Sequence, residues 1–373
     1  MATMQALVKT THGAGLWLEE VPLPVPGRQE VLIRVLRTAI SARDALIFNC
    51  DAWSRQTIPE PIPIGHEFVG EIAAIGQDVR DFLPGDLVCG EEYLSCGRCE
   101  NCLAELTNFC RNPSQVGGDR PGSFAQYLCL PEAILWRCDP AIDLDILACF
   151  SSLGRAMHTA RVFDLLAKDV LISGAGVFGC MVAAIARHTG ARHVVVADVN
   201  PFHLDLAVRV GASHGIDLTR ESIALARQKL AMRQGFDVAL ELSGQPATLH
   251  AVLANMRQDG GIALLSIMPS TATIDWNAIV CNSLTIKGVY RRRMFHPWAK
   301  VTVLLGNGLD VSPLITHHYG YRDFLEAFAV LRSGHSGRII LNWARAAGIK
   351  HPPLPEKDHD SDPHRHQQQR TDH

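Results

Sequence analysis

The stretch Val170-Leu171-Ile172-Ser173-Gly174-Ala175-Gly176-Val177-Phe178-Gly179 decides the fold. A short apolar run that reads as a buried strand leads directly into three glycines spaced G-x-G-x-x-G, and the residues that follow, through 181–188, read as a helix. Each glycine has a separate physical task. Gly174 makes the tight turn, Gly176 lets the backbone approach a pyrophosphate, and Gly179 permits close packing of helix on strand, while the helix N-terminus faces the anion. Asp198 closes the next strand, nineteen residues beyond Gly179. A carboxylate there accepts hydrogen bonds from a ribose 2′-hydroxyl and repels a 2′-phosphate, so the expected cofactor is NAD rather than NADP.

Outward from this motif, strands are expected at 170–173, 193–197, 236–242, 261–266 and 284–290, with a helix from Pro201 and helical stretches between the later strands. Repeated βα units imply a doubly wound parallel sheet, the Rossmann arrangement. The N-terminal part has a different texture. From Gln5 to about Leu130, short β-rich runs such as 31–36 and 68–75 are separated by Pro and Gly clusters, the punctuation of an irregular, mostly β domain. The fold class is therefore α/β, a mostly β body joined to a doubly wound one. Residues 345–373, rich in Pro, Asp, Gln and His, are expected to be a disordered tail.

The length of 373 residues suits two domains. Hydrophobic residues make up 47% and charged residues 20%, which excludes a chain disordered throughout. Lys plus Arg (35) nearly balance Asp plus Glu (38), for a net charge of −3, so a nucleic acid or a membrane surface is not an expected partner. No apolar run is long enough to span a bilayer, and the N-terminus lacks a basic start followed by an apolar stretch. A cytoplasmic location is expected.

Eleven cysteines are present, four of them crowded as Cys96, Cys99, Cys102 and Cys110. Four thiolates can close a tetrahedral shell around a structural zinc, and the same short spacings also suit an iron–sulfur cluster. The other seven (Cys50, Cys89, Cys129, Cys138, Cys149, Cys180, Cys281) sit among apolar neighbours and read as small buried hydrophobes. In Gly65-His66-Glu67, the His-Glu pair taken alone reads as a surface or capping pair ahead of a metal site.

Together these motifs resemble the zinc-containing medium-chain dehydrogenase/reductase family, with similarity from about Gln5 to Trp343. Its specific carriers are 53–59 (Trp-Ser-Arg-Gln-Thr-Ile-Pro), Gly65-His66-Glu67, the four-cysteine lobe at 90–112, Ser173-Gly174-Ala175-Gly176, Ala197-Asp198-Val199-Asn200 and 312–317 (Ser-Pro-Leu-Ile-Thr-His). The resemblance implies a GroES-like catalytic domain over 1–150 completed by 296–344, a Rossmann NAD-binding domain over 151–295, and a substrate cleft between them. It decides for zinc in the lobe, and implies a small-molecule substrate and a homo-oligomer, a tetramer or dimer. By the same resemblance, Gly174, Gly176, Val177, Phe178, Gly179, Asp198, His203, Leu265, Ser266, Ile267, Val289 and Tyr290 are the cofactor-binding positions.

The catalytic positions depart from the family pattern. A catalytic zinc there is held by the Cys that opens C-G-T-D-x-H and by the His-Glu pair; here that motif reads Ser41-Ala42-Arg43-Asp44-Ala45-Leu46. The ligand cysteine is Ser41, the relay hydroxyl Arg43 and the relay histidine Leu46, with only Asp44 retained. An assisting Asp is replaced by Ser151, and a substrate-side His by Tyr93. A zinc-bound alcohol is acidified from about 16 towards about 7, and losing that shift adds roughly 12 kcal/mol to alkoxide formation. Serine is a poor zinc ligand beside a thiolate, and Arg43 opposes a cation, so His66 and Glu67 are expected to hold a catalytic zinc weakly or not at all. Arg43, Arg155, Arg291 and Arg293 are new arginines in cleft motifs. They read either as a site for an anionic substrate or as drift in a dead site, each turned to solvent. Two functions follow: a divergent NAD-dependent oxidoreductase, or a non-catalytic relative that binds a nucleotide or metabolite or joins an active paralogue.

Overall fold

The computed structural model describes residues 2–11 and 13–344; the tail expected at 345–373 lies outside them. Six parallel strands form one sheet in the spatial order His214–Asp217, His193–Asp198, Asp169–Ser173, Phe236–Glu241, Met256–Leu264 and Thr285–Gly288. In chain order this is 3-2-1-4-5-6, the doubly wound arrangement, with its switch point between Asp169–Ser173 and Phe236–Glu241. Alternation along Asp169–Ser173 sends Val170 and Ile172 into the core on one face of the sheet and Leu171 into that on the other, all fully buried. That is why the run is continuously apolar. The strand expected at 284–290 contracts to Thr285–Gly288, an edge strand with a neighbour on one side only.

The helix Val177–His188 starts at the glycine motif. Gly174 has φ +102°, a conformation that favours glycine, and a methyl on Gly179 would collide with the Gly174 carbonyl oxygen. Both glycines are thus required by the geometry of the turn.

In the second body the long strand Glu30–Ala39 is central. It pairs antiparallel with Phe68–Ile75, Tyr127–Pro131 and Arg338–Asn342, and the last of these lies parallel to Ile315–Gly320. Chain from both sides of the parallel sheet therefore builds one β body. This pairing positions the site: Ala39 N donates to Glu67 O (3.1 Å) and Ile40 N to Ile339 O (3.0 Å), bringing the segments after residues 39 and 65 and the C-terminal strand side by side. The helices Phe150–Ala160 and His296–Gly306 join the bodies, with fully buried Trp298 edge-on to Phe150 at 5.7 Å. Among the described residues, no helix is long and apolar enough to cross a membrane.

Candidate active site

A cavity of about 600 Å³ lies between the two bodies, and its wall carries five arginines (Arg43, Arg155, Arg291, Arg292, Arg338) and three glutamates (Glu67, Glu91, Glu92). Ser41 ends the central strand's excursion and caps the helix Ala42–Asn49. Its backbone N–H and its hydroxyl both donate to Asp44 Oδ2 (2.8 and 2.7 Å), and its Oγ accepts from Asp44 N (3.3 Å). This is a capping box, and it commits the Ser41 hydroxyl as both donor and acceptor.

His66 and Glu67 are each 3% exposed, which corrects the surface reading of the pair. The imidazole stands among carboxylates, with Nδ1 3.7 Å from Asp44 and Nε2 3.5 Å from Glu92 and 3.9 Å from Glu67. Glu67 accepts from Ser152 Oγ (2.5 Å) and Arg338 Nη2 (3.2 Å), and Arg338 also donates to Ile40 O (3.1 Å). Arg43 donates from Nη2 to Val116 O (2.7 Å) and holds Nη1 3.6 Å from Glu92. Arg292 grips both oxygens of Glu91. Each glutamate of the wall thus has its own arginine.

Burial alone would push the Asp44 and Glu92 carboxyls up. His66 and Arg43 beside both, Ser41 beside Asp44, and Arg155 and Arg292 around Glu92 outweigh it, so both are held below the usual carboxylate range. Burial and the Glu92 charge push the Tyr93 phenol up. The Tyr93 oxygen accepts from Gln115 Nε2 (3.0 Å), and its ring carries the Arg291 guanidinium at 4.6 Å.

Of the expected catalytic positions, Ser41, Arg43, His66, Glu67 and Tyr93 line the cavity. Asp44 lies fully buried behind it, and Leu46 is 44% exposed on the outer side of its helix. Ser151 is buried away from the cavity; its neighbour Ser152 meets Glu67, because successive helix positions point in different directions. Arg293 is exposed and outside the lining, so it does not belong to the cleft cluster.

The expected cofactor positions divide similarly. Gly176, Val177, Phe178, His203, Leu265, Ser266, Ile267 and Tyr290 line the cavity, whereas Gly174, Gly179, Asp198 and Val289 do not. Gly176 opens the helix with no side-chain cap, and a Cβ added there would meet nothing within 4 Å. That leaves an open cradle at a helix N-terminus, suited to a phosphate. Asp198 already accepts from the backbone N–H groups of Ala175 (2.6 Å), Val199 (2.7 Å) and Asn200 (2.9 Å), tying the glycine turn to the next strand. One lone pair on Oδ2 remains for a ribose hydroxyl.

Away from the cavity, the Sγ atoms of Cys96, Cys99, Cys102 and Cys110 lie within 4.8 Å of one another. Cys99 Sγ is 3.5 Å from Cys102 Sγ and 4.0 Å from Cys110 Sγ. A zinc–sulfur tetrahedron with bonds of 2.3 Å has edges of about 3.8 Å, so the four thiols fit that ion. Among the described residues no second group of three or more His, Cys, Asp or Glu ligands is gathered in this way. Of the other seven cysteines, Cys281 is exposed at the end of the helix Trp276–Cys281 and Cys129 is half-buried, so the buried reading holds for the remaining five.

Glu91, Glu92, Ser152, Arg292 and Arg338 were not singled out from sequence. Glu67 and Arg338 are separated by 271 positions and Glu91 and Arg292 by 201, distances over which spacing carries no information. Local signals were the Glu91-Glu92 pair at the start of the cysteine lobe, Arg292 between Arg291 and Arg293, and Ser152 next to Ser151.

The comparisons agree with this architecture. A family model for the alcohol dehydrogenase GroES-like domain matches residues 27–140, and one for zinc-binding dehydrogenases matches 177–306. The chain is 48% identical to an L-threonine 3-dehydrogenase of Solibacter usitatus over 340 residues, covering 91% of this chain and all of that one. It is 47% identical to the Edwardsiella ictaluri L-threonine 3-dehydrogenase over 341 residues, with the same coverage. Among solved structures, a zinc-binding dehydrogenase from Sinorhizobium meliloti bound to NADP superposes with TM-score 0.84 at 23% identity, covering 92% of this chain and 100% of that one. An Escherichia coli alcohol dehydrogenase complexed with NADH gives 0.83 at 22% identity, with the same coverage.

Proposed function

The chain belongs to the zinc-type medium-chain dehydrogenase/reductase family, and from that premise we propose that it is an NAD-dependent oxidoreductase that works on a small anionic molecule without a catalytic zinc. The cofactor body is the segment 151–295, and the catalytic body is 1–150 completed by 296–344. The observation that carries the reading is the guanidinium of Arg43, held between Val116 O and Glu92 on the wall that His66 and Glu67 share. Ser41 has its hydroxyl committed to Asp44, and Glu67 is neutralised by Arg338. Two of the three donors that a divalent ion would need, the Ser41 hydroxyl and the Glu67 carboxylate, are therefore engaged in internal pairs, and Arg43, although paired with Glu92, keeps a guanidinium on the same wall as His66.

The nicotinamide cofactor, when bound, would supply or accept the hydride. Gly176, Val177 and Phe178 would seat its phosphates at the helix N-terminus, and Asp198 would favour a free ribose hydroxyl over a 2′-phosphate. Without a metal to acidify an alcohol, the substrate is one whose reaction needs no strongly stabilised alkoxide, such as an activated C=C bond. The four-cysteine lobe would hold one structural zinc with no chemical part.

Two readouts on purified full-length protein test this. NADH should bind more tightly than NADPH by fluorescence titration, and L-threonine with NAD and added Zn²⁺ should yield little or no NADH. Robust threonine oxidation would overturn the metal-free reading. Cofactor binding with no turnover on any carbonyl or activated alkene acid would favour a non-catalytic relative instead.

A further inference from the structure

Three of the five arginines on the cavity wall are matched one to one with its glutamates: Arg338 with Glu67, Arg292 with Glu91 and Arg43 with Glu92. Arg155 and Arg291 remain: among the described residues neither forms a contact ion pair, and Arg155 reaches Glu92 only as one of several positive charges around it. Arg155 stands over the Phe178 ring at 5.4 Å, at the start of the nucleotide-binding helix. Arg291 lies against two aromatic faces, Tyr93 at 4.6 Å and Tyr290 at 5.1 Å, and its Nε is buried without a hydrogen-bond partner. A guanidinium stacked on a ring keeps its plane fixed and its N–H edges free, the geometry that takes an oxyanion in a two-pronged grip. Arg291 is half-buried, where an unpaired cation is costly unless something neutralises it, whereas Arg155 is exposed, with its guanidinium open to an incoming anion.

We propose that Arg155 and Arg291 form a clamp for an oxyanion group of the substrate, a carboxylate or a phosphoryl group. The clamp flanks the Glu92-Tyr93 segment and stands beside the cofactor-lining residues Phe178 and Tyr290. Two unmatched positive charges suit a dianion or two separate anionic groups. Arg43, placed with these two by sequence, is instead an internal counter-charge for Glu92. The inference rests on the oxidoreductase reading for its word substrate, whereas the binding site it assigns is testable without any turnover.

The test is calorimetric titration of the full-length protein, with NADH present, by inorganic phosphate, by malonate and by the neutral control malonamide. NADH binding is followed separately by its fluorescence. At least one anion should bind and malonamide should not, phosphate alone identifying a phosphoryl group and malonate alone a carboxylate. Arg155→Gln and Arg291→Gln should each weaken anion binding at least tenfold with NADH binding retained, while the exposed Arg293→Gln leaves both unchanged. Absence of anion binding to the unmodified protein, or binding that survives either substitution in the clamp, would overturn the proposal. Parallel loss of NADH binding in both variants would also overturn it, since the arginines would then serve the cofactor's phosphates. If the unmodified protein binds no NADH, the same titrations are run without it. Anion binding that depends on both arginines then upholds the clamp while the oxidoreductase reading fails.

Discussion

At the scale of single residues, Arg43 ties three segments together, donating to Val116 O and facing Glu92 across the cavity wall. Its side chain is 14% exposed and that of Glu92 12%, so each charge sits in an environment where the other is the nearest compensation. Removing one partner of such a pair leaves an uncompensated charge, whereas removing both does not. Arg43→Ala should therefore lower stability by about 2 kcal/mol, less than the full cost of a dry pair because His66 also faces Glu92. Glu92→Ala should cost a similar amount, and the double variant should be less destabilised than the sum by at least about 1 kcal/mol. Urea denaturation of the four proteins checks this, and strict additivity would mean that the two side chains do not interact. That Ser41, Arg43 and Leu46 depart from the motif the resemblance implies is legible in the sequence, because all three lie within one short stretch. That Arg43 has a partner in Glu92 was not, since their contact depends on how two separate segments meet.

Elements report their stability through their ends and their ligands. The strand Asp169–Ser173 begins with a carboxylate that accepts from Arg192 Nε (2.8 Å) and Arg192 Nη2 (2.5 Å) and lies 2.8 Å from His193 Nδ1. Burial would raise the Asp169 carboxyl, but the hydrogen bonds with Arg192 and His193 outweigh it and hold it below the usual range. A depressed folded-state value contributes stability above the unfolded value of about 3.9, and that contribution is lost as pH falls through the folded value. Asp169→Asn should thus be less stable at neutral pH by about 1 kcal/mol, a figure kept small because Arg192 is largely exposed. The deficit should close below about pH 4 in thermal melts, and a deficit unchanged down to pH 2 would contradict the assignment. In the lobe, the short helix Glu100–Leu103 and its neighbours have little apolar core, and four thiolates repel one another without a cation. Chelation or Cys99→Ser should expose residues 90–112 to protease before the parallel sheet loosens. An unchanged cleavage pattern would show that the lobe holds its shape without metal. Both elements were legible in the sequence, the strand by its apolar run and the lobe by its spacing. The edge strand Thr285–Gly288 was overestimated because an apolar pattern does not reveal how many neighbours a strand has.

For the molecule as a whole, the cavity forms where the switch point of the parallel sheet meets the β body assembled from both ends of the chain. The glycine turn and its strand are local and could be read directly, whereas the cavity's charge pattern could not. Its pairs join residues 201 and 271 positions apart, and only the fold decides that Arg292 and Arg338 are spent while Arg155 and Arg291 are not. We propose that this cavity works without a metal while the lobe holds one. Crystals of the full-length protein grown with added zinc and measured at the zinc absorption edge test it most directly. Anomalous density is expected among Cys96, Cys99, Cys102 and Cys110 and none beside His66. A zinc peak bonded to His66 and Glu67 would contradict it.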